Sequence, residues 1–276
     1  MLERPEGAHL EKQSSRVAGL LRASFARAGR ATRLADLHEG GGVRLKLPRG
    51  ADCEAVMVNV GGGLAGGDRL DVALALEAGA QATFTTQSAE KIYRADGSET
   101  LVEARVTLAA GADLLWAPQE TLLFDGARLR RRLNVEMAAT ATLTLVESAV
   151  FGRLAYGEHD ADSHVRDSWR IWRGGALLIA EETAIRGAGD LDRPALGGGA
   201  RASATLILVG AHAGPALEPL RALFETRADE GVETGVSLID GRLFARAVAR
   251  DPARLRSALR EAIIFATGRA LPRVWN

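Results

Sequence analysis

Residues 55–76 read AVMVNVGGGLAGGDRLDVALAL, an apolar run, a glycine-rich turn and a second apolar run. Gly61, Gly63 and Gly66 match the spacing G-x-G-x-x-G directly after AVMVNV, as a dinucleotide-binding turn would. A pyrophosphate site, however, needs a helix whose N-terminal amides face the phosphate. The residues after the glycines instead alternate, with Leu70, Val72, Leu74 and Leu76 at every second position. Period two means a strand, so the glycines connect two strands and the segment belongs to a β protein.

Strand-like segments of similar build recur downstream. GAQATFTTQS from Gly79, GADLLWAPQET from Gly111, TATLTLVES from Thr140 and GALLIAEET from Gly175 start 32, 29 and 35 residues apart. Each opens on a small or polar residue and ends its apolar stretch in polar or acidic residues. Repeats of this length suggest stacked β coils, in which one layer buries its face on the next. The expected fold is mainly β, a β-helical or solenoid-like stack with hairpins and about two helices near the C-terminal part. Asp96-Gly97, Asp125-Gly126 and Asp240-Gly241 punctuate the apolar runs and suggest tight hairpins, because both positions tolerate positive φ. VSLIDGRLFARAV, residues 236–248, is the clearest of these.

Asp251 before Pro252 reads as an N-cap with a first-turn proline. Leu255, Leu259, Ile263 and Ala266 come next as one stripe, and Gly268 closes the helix. Leu217, Leu220 and Phe224 give a second helical stripe, which Pro219 weakens. GAGDLDRPALGGGAR, residues 187–201, has no period and reads as a mobile loop and internal boundary. The first 31 residues read as an N-terminal extension, partly disordered, ahead of a single β-rich domain over residues 32–276.

With 276 residues, the chain is long enough for a sizeable core. Lys plus Arg equals Asp plus Glu at 35 each, so no net field favours nucleic acid or an anionic membrane. Cys53 is the single cysteine, which excludes an intramolecular disulfide and suits a reducing compartment. No apolar stretch approaches the roughly 20 residues of a membrane span, and the expectation is a cytoplasmic protein.

The chain has no G-x-S-x-G elbow, no H-E-x-x-H and no Walker A lysine. His159, Asp162 and His164 in GEHDADSHVRD offer oxygen and imidazole ligands for a divalent metal, weighed against a solvated polar loop. Glu147 and Glu181 end apolar strands at equivalent repeat positions. Buried carboxylates there need partners, metal or water, whereas strand-end carboxylates usually reach solvent. An acid and base pair on a β-helical enzyme is the third alternative, with aromatics at only 5% and no sugar-binding platform.

Five motifs carry a resemblance. GGGLAGGDRL (61–70), TTQSAEKIYR (85–94), WAPQETLLFDGARLRRRL (116–133), ESAVFGRLAYGE (147–158) and the closing LPRVWN (271–276) are similar, in order, to the urease accessory protein D family, also called the H type. The resemblance runs from about Thr32 to the last residue. It implies a non-enzymatic maturation factor, β-rich and closed by a few helices. Its implied partners are urease apoprotein, accessory protein F and, through F, the GTPase G. It further implies no tightly bound cofactor, with nickel in transit through a water-filled passage, and GTP hydrolysis left to the partner.

Asp68 in the GGDR motif, with Glu147 and Glu181, stands where the resemblance places acidic residues near that passage. A turn-capping role for Asp68 is the competing reading. Oxygen ligands hold nickel less tightly than imidazole or thiolate and so suit transit. Glu90 departs from the family pattern, which has a small or hydroxylated residue there, and with Lys91 reads as a surface ion pair of small worth. The strand and helix over residues 236–268 are expected to cap the stack or face a partner.

Overall fold

The computed structural model describes residues 16–50 and 52–276. The chain opens with β1 (Ala18–Ala28), β2 (Ala31–Gly40), β3 (Val43–Lys46) and β4 (Glu54–Asn59). The coil strands are β5 (Arg69–Leu76), β6 (Gln81–Thr86), β7 (Glu90–Ile92), β8 (Thr100–Leu108), β9 (Asp113–Trp116), β10 (Thr121–Leu123), β11 (Arg128–Met137), β12 (Thr142–Phe151) and β13 (His164–Arg173). Then come β14 (Ala176–Arg186), α1 (Gly187–Asp192), β15 (Ala202–Val209), α2 (Leu217–Ala228), β16 (Val232–Ile239), β17 (Arg242–Ala249) and α3 (Pro252–Thr267).

The molecule is a β-solenoid of about four turns between two sheets. The first sheet runs β14-β13-β11-β8-β5-β1-β2, with β1, β5, β8, β11 and β13 parallel. The second runs β16-β17-β15-β12-β9-β6-β4-β3, with β4, β6, β9 and β12 parallel, and β7 and β10 attached beside β12. Each coil passes from one sheet to the other, so the strand faces that meet between the sheets form the main core. Leu70, Val72, Leu74 and Leu76 of β5 all lie in that core, as their alternation requires.

Three of the four repeat segments stack in the register the alignment implies. Gln81 pairs with Asp113, and Asp113 with Thr142, each two residues into its segment. The fourth does not. Its strand, β14, is the antiparallel edge partner of β13 in the other sheet, so Glu181 does not stack over Glu147. The chain reverses at Gly174 and Gly175, both at positive φ, and a hairpin replaces a further coil.

Of the Asp-Gly pairs only Asp240-Gly241 makes a hairpin, between β16 and β17, with φ of 45° and 76°. Asp96-Gly97 and Asp125-Gly126 turn corners that lead into parallel strands of the first sheet. The glycines at residues 61–67 also turn a corner. A Cβ on Gly63 would lie 2.5 Å from the Tyr93 ring and 2.8 Å from the Lys91 carbonyl, and one on Gly66 would lie 2.6 Å from the Ser98 carbonyl. The glycine run lets successive coils approach each other there.

A second core covers the outer face of the second sheet. Leu255, Leu259 and Ile263 of α3, Leu220 and Phe224 of α2, and Trp275 form this core with residues of β15 and β17, α3 packing on β15 and β17 and α2 on β16 and α3. Helix α3 has the expected ends: Asp251 accepts a hydrogen bond from the Ala253 amide, and Gly268 is left-handed. Pro219 sits in the first turn of α2, where the missing amide hydrogen removes no helical bond. β17 and β16 extend the second sheet past β15, with α3 on its outer face.

Two boundary expectations change. Residues 187–201 fold as α1 and a closed turn with Leu191 and Ala200 buried, so the segment is packed against the stack. The extension drawn over residues 1–31 contains β1, whose Leu21, Ala23 and Phe25 are core residues. The disorder expected at the start of that extension falls on residues 1–15, outside the described residues.

Candidate functional site: a charged cavity between the sheets

Between the two sheets lies a cavity with about 60 Å³ of room for water centres. One water needs roughly 10–15 Å³ on that measure, so a few fit. Most of its wall is apolar and comes from inward positions of β5, β6, β8 and β11, but Glu90, Arg131 and Glu147 also line it.

Arg131 is placed there by strand alternation. On β11 it lies between Leu129 and Leu133, both buried, on the inward face. One Nη donates to Glu147 and the other to Asp167, which is directly opposite Arg131 in the β11–β13 register. Each carboxylate takes a second donor from a tryptophan: Trp116 Nε1 donates to Glu147 at 2.8 Å and Trp169 Nε1 to Asp167 at 2.7 Å. The Arg131 Nε is buried without a partner.

One cation thus serves two buried carboxylates, and the balance is uneven. Burial works against the charge on Arg131, but Asp167 and Glu147 outweigh it and hold the guanidinium charged. Burial pushes the Glu147 carboxyl up to about 7 against the pull of Arg131, and the neighbouring Asp167 adds to the rise. With Glu147 protonated the cluster is neutral. Once Glu147 ionises, it carries one negative charge.

Glu90 is the other carboxyl on the cavity wall. Burial pushes it up to about 7, opposed by a 2.9 Å hydrogen bond from Asn59 Nδ2 and by Lys91. The surface ion pair expected for Glu90 and Lys91 is replaced by this inward placement, and Glu90 appears in no ion pair among the described residues.

The remaining sequence candidates lie elsewhere. Asp68 is buried, and both its oxygens accept backbone amides, Oδ1 from Val17 at 2.7 Å and Oδ2 from Ala65 at 2.8 Å. That is the turn-capping geometry, outside the cavity wall. Glu181 pairs with Arg246 of β17, tying the edge of the first sheet to the second, and it too is absent from the wall. The three residues expected along one passage therefore do not share this cavity; Glu147 alone lines it. As an acid and base pair, Glu147 and Glu181 are likewise separated.

Asp162 is held by Arg128 at 2.8 Å and meets His164 Nε2 at 3.2 Å, both on the surface, while the His159 carbonyl accepts from Arg201. Among the described residues no group of three or more His, Cys, Asp and Glu side chains is placed to hold a metal ion. Sequence reasoning misses Arg131, Asp167 and the two tryptophans. The signal is present: Leu129-x-Arg131-x-Leu133 and Val165-x-Asp167-x-Trp169 put charges on faces that alternation buries.

The fold and this site define a class: a β-solenoid with a mostly apolar, water-sized interior into which a buried arginine and two carboxyls project. Comparison with known sequences is more specific. The family model described as UreD urease accessory protein matches residues 17–276. The chain is 48% identical over 255 residues to the urease accessory protein UreD of Methylobacterium sp., covering 90% of each chain. It is 44% identical over 259 residues to urease accessory protein UreD 1 of Methylobacterium radiotolerans, covering 93% of this chain and 90% of the relative. Against the Xanthobacter autotrophicus protein it is 42% identical over 262 residues, covering 93% and 89%. The chain belongs to the UreD urease accessory protein family. No helix among the described residues is long and apolar enough to cross a membrane.

Proposed function

We propose that the chain is a cytoplasmic, non-enzymatic urease maturation factor that binds urease apoprotein and accessory protein F, reaches the GTPase G through F, and passes nickel through its interior. The observation that carries this reading is the water-sized cavity inside the stack, with Glu90 and Glu147 on its otherwise mostly apolar wall, in a chain of the urease accessory family. A carboxyl that ionises near neutrality can take up a divalent cation and give it back, because the ion and the proton compete for the same oxygens. Oxygen donors in small number favour passage over storage.

Partner binding has its own support. Tyr156 of the ESAVFGRLAYGE motif is 79% exposed, Val60 beside the glycine turn 62%, and Phe265 on α3 59%. Side chains of that size left in water are candidates for burial by a partner. The test is co-expression with the urease subunits and proteins F and G, followed by pull-down and metal analysis of the purified urease. Glu147→Gln keeps an acceptor for Trp116 but no ionisable group, and it is expected to leave the complex intact while lowering urease nickel. Failure of the native chain to co-purify with both urease apoprotein and protein F would overturn the scaffold part.

A further inference from the structure

A second pocket shares part of the interior cavity's wall. Met57, Thr86 and Glu90 line the cavity and also line this pocket against the glycine turn, whose other walls include Asn59, Gly62 and Lys91. Glu90 is the one ionisable side chain common to both. The backbone around it is fixed: its amide donates to the Glu120 carbonyl at 3.0 Å, and the Lys91 carbonyl accepts from Leu64 at 2.8 Å. Its carboxyl is held by the Lys91 backbone and by one neutral side chain, Asn59, which also accepts from the Gly61 amide at 3.0 Å through Oδ1. Glu90 thus sits where cavity, outer pocket and glycine turn meet, with no side-chain ion pair among the described residues. On the inner side the charged groups on the wall are Arg131 and Glu147, with Asp167 behind Arg131; on the outer side there is Lys91.

A divalent cation entering from the outer pocket would meet the Arg131 guanidinium inside, which repels it, unless carboxylates along the way compensate. Glu147 is already engaged by Arg131 and Trp116. Glu90 is held by Asn59 and the Lys91 backbone but makes no side-chain ion pair among the described residues, and it stands first in line. We propose that Glu90 is the gate of the passage, the group at the junction of the two pockets that exchanges its proton for a divalent cation as the ion crosses. The exchange balances: the neutral carboxyl releases its proton to water, the carboxylate contacts the ion, and when the ion moves on the carboxyl takes a proton back. This gate rests on the passage proposed above.

The test uses the full chain co-expressed with the urease subunits and proteins F and G at limiting nickel, with nickel per urease active site measured alongside pull-down and thermal melting. Glu90→Gln keeps the size and the Asn59 bond and removes the exchangeable proton, and nickel content is expected to fall several-fold with assembly unchanged. Glu90→Asp is expected to restore part of it. Should Glu90→Gln fail to assemble, Glu90→Asp and Glu90→Asn, equal in size and different in charge, make the same comparison, and equal nickel in that pair overturns the gate. Full nickel in Glu90→Gln with low nickel in Glu147→Gln overturns the gate and leaves the passage standing. Full nickel in both removes the passage together with its gate.

Discussion

Arg131 is the side chain on which the interior charges depend. It pairs with both Glu147 and Asp167, so removing it leaves two buried carboxyls without their cation in the space between the sheets. Breaking a buried ion pair by deleting one partner costs about 3–5 kcal/mol, and Arg131→Met is expected to lose stability on that scale in urea denaturation. Glu147→Gln should be far milder, since Arg131 stays paired with Asp167 and the amide oxygen still accepts from one of the two donors that met the carboxylate. Equal losses in the two variants would show that Arg131 is not the organising charge. Glu90 gives a pH test. Its folded value of about 7 lies above the ordinary 4.5, so between these values the folded state holds a proton that the unfolded state has lost. The contribution of Glu90 to stability is therefore greatest below pH about 4.5, declines as pH rises toward 7 and stays low above it. Glu90→Gln removes that decline, so relative to the native chain it should gain roughly 3 kcal/mol on going from about pH 4 to about pH 8. Parallel stability profiles for the two chains would mean the carboxyl is not held up by burial.

At the scale of elements, α3 and the tail after it form the lid of the second core. Asp251→Ala removes the N-cap bond to Ala253 and should cost about 1 kcal/mol in a thermal or chemical melt. Deleting residues 251–276 is a different order of change. It uncovers the outer face of β15 and β17 and withdraws Trp275, whose Nε1 donates to Thr85 and to the Ala117 carbonyl. Soluble expression is expected to be lost, and a soluble, folded truncation would show that the helix does not complete the core. Elements of this kind are readable because their signals are local: Asp251, Pro252 and Gly268 mark helix ends whatever lies around them. Asp-Gly pairs are local too, but ambiguous. Positive φ at Gly126 and Gly241 is nearly the same, 75° and 76°, while one turns a coil corner and the other a hairpin. Direction after a turn is decided by where the next strand finds a partner. For the same reason the segment at Gly175 reads as a fourth repeat and folds as an edge hairpin. β1 escapes notice because its alternation, Leu21, Ala23 and Phe25, is diluted by arginine and alanine on the other face.

On the scale of the whole molecule, the solenoid is legible from the spacing of three strand segments, and the candidate site only in part. Glu147 stands out because it ends a long apolar run. Its partner Arg131, in the basic run RLRRRL, looks like surface until the strand phase is traced through Leu129 and Leu133. Asp68 and Glu181 stand out as acids near turns and strand ends, and the fold occupies them with backbone amides and Arg246. Sequence spacing cannot supply which inward positions from different coils face one void, because the void belongs to the assembled sheets. Its existence leads to the most direct test. Val102 of β8 lines the cavity and carries no charge, so Val102→Phe fills it while Glu90, Arg131 and Glu147 keep their own side chains. An overpacked core position costs about 1–3 kcal/mol, which a chain of this size tolerates. Urease matured with the Val102→Phe chain, in a complex that assembles normally, should contain far less nickel than urease matured with the native chain; a full complement of nickel would contradict passage through the interior.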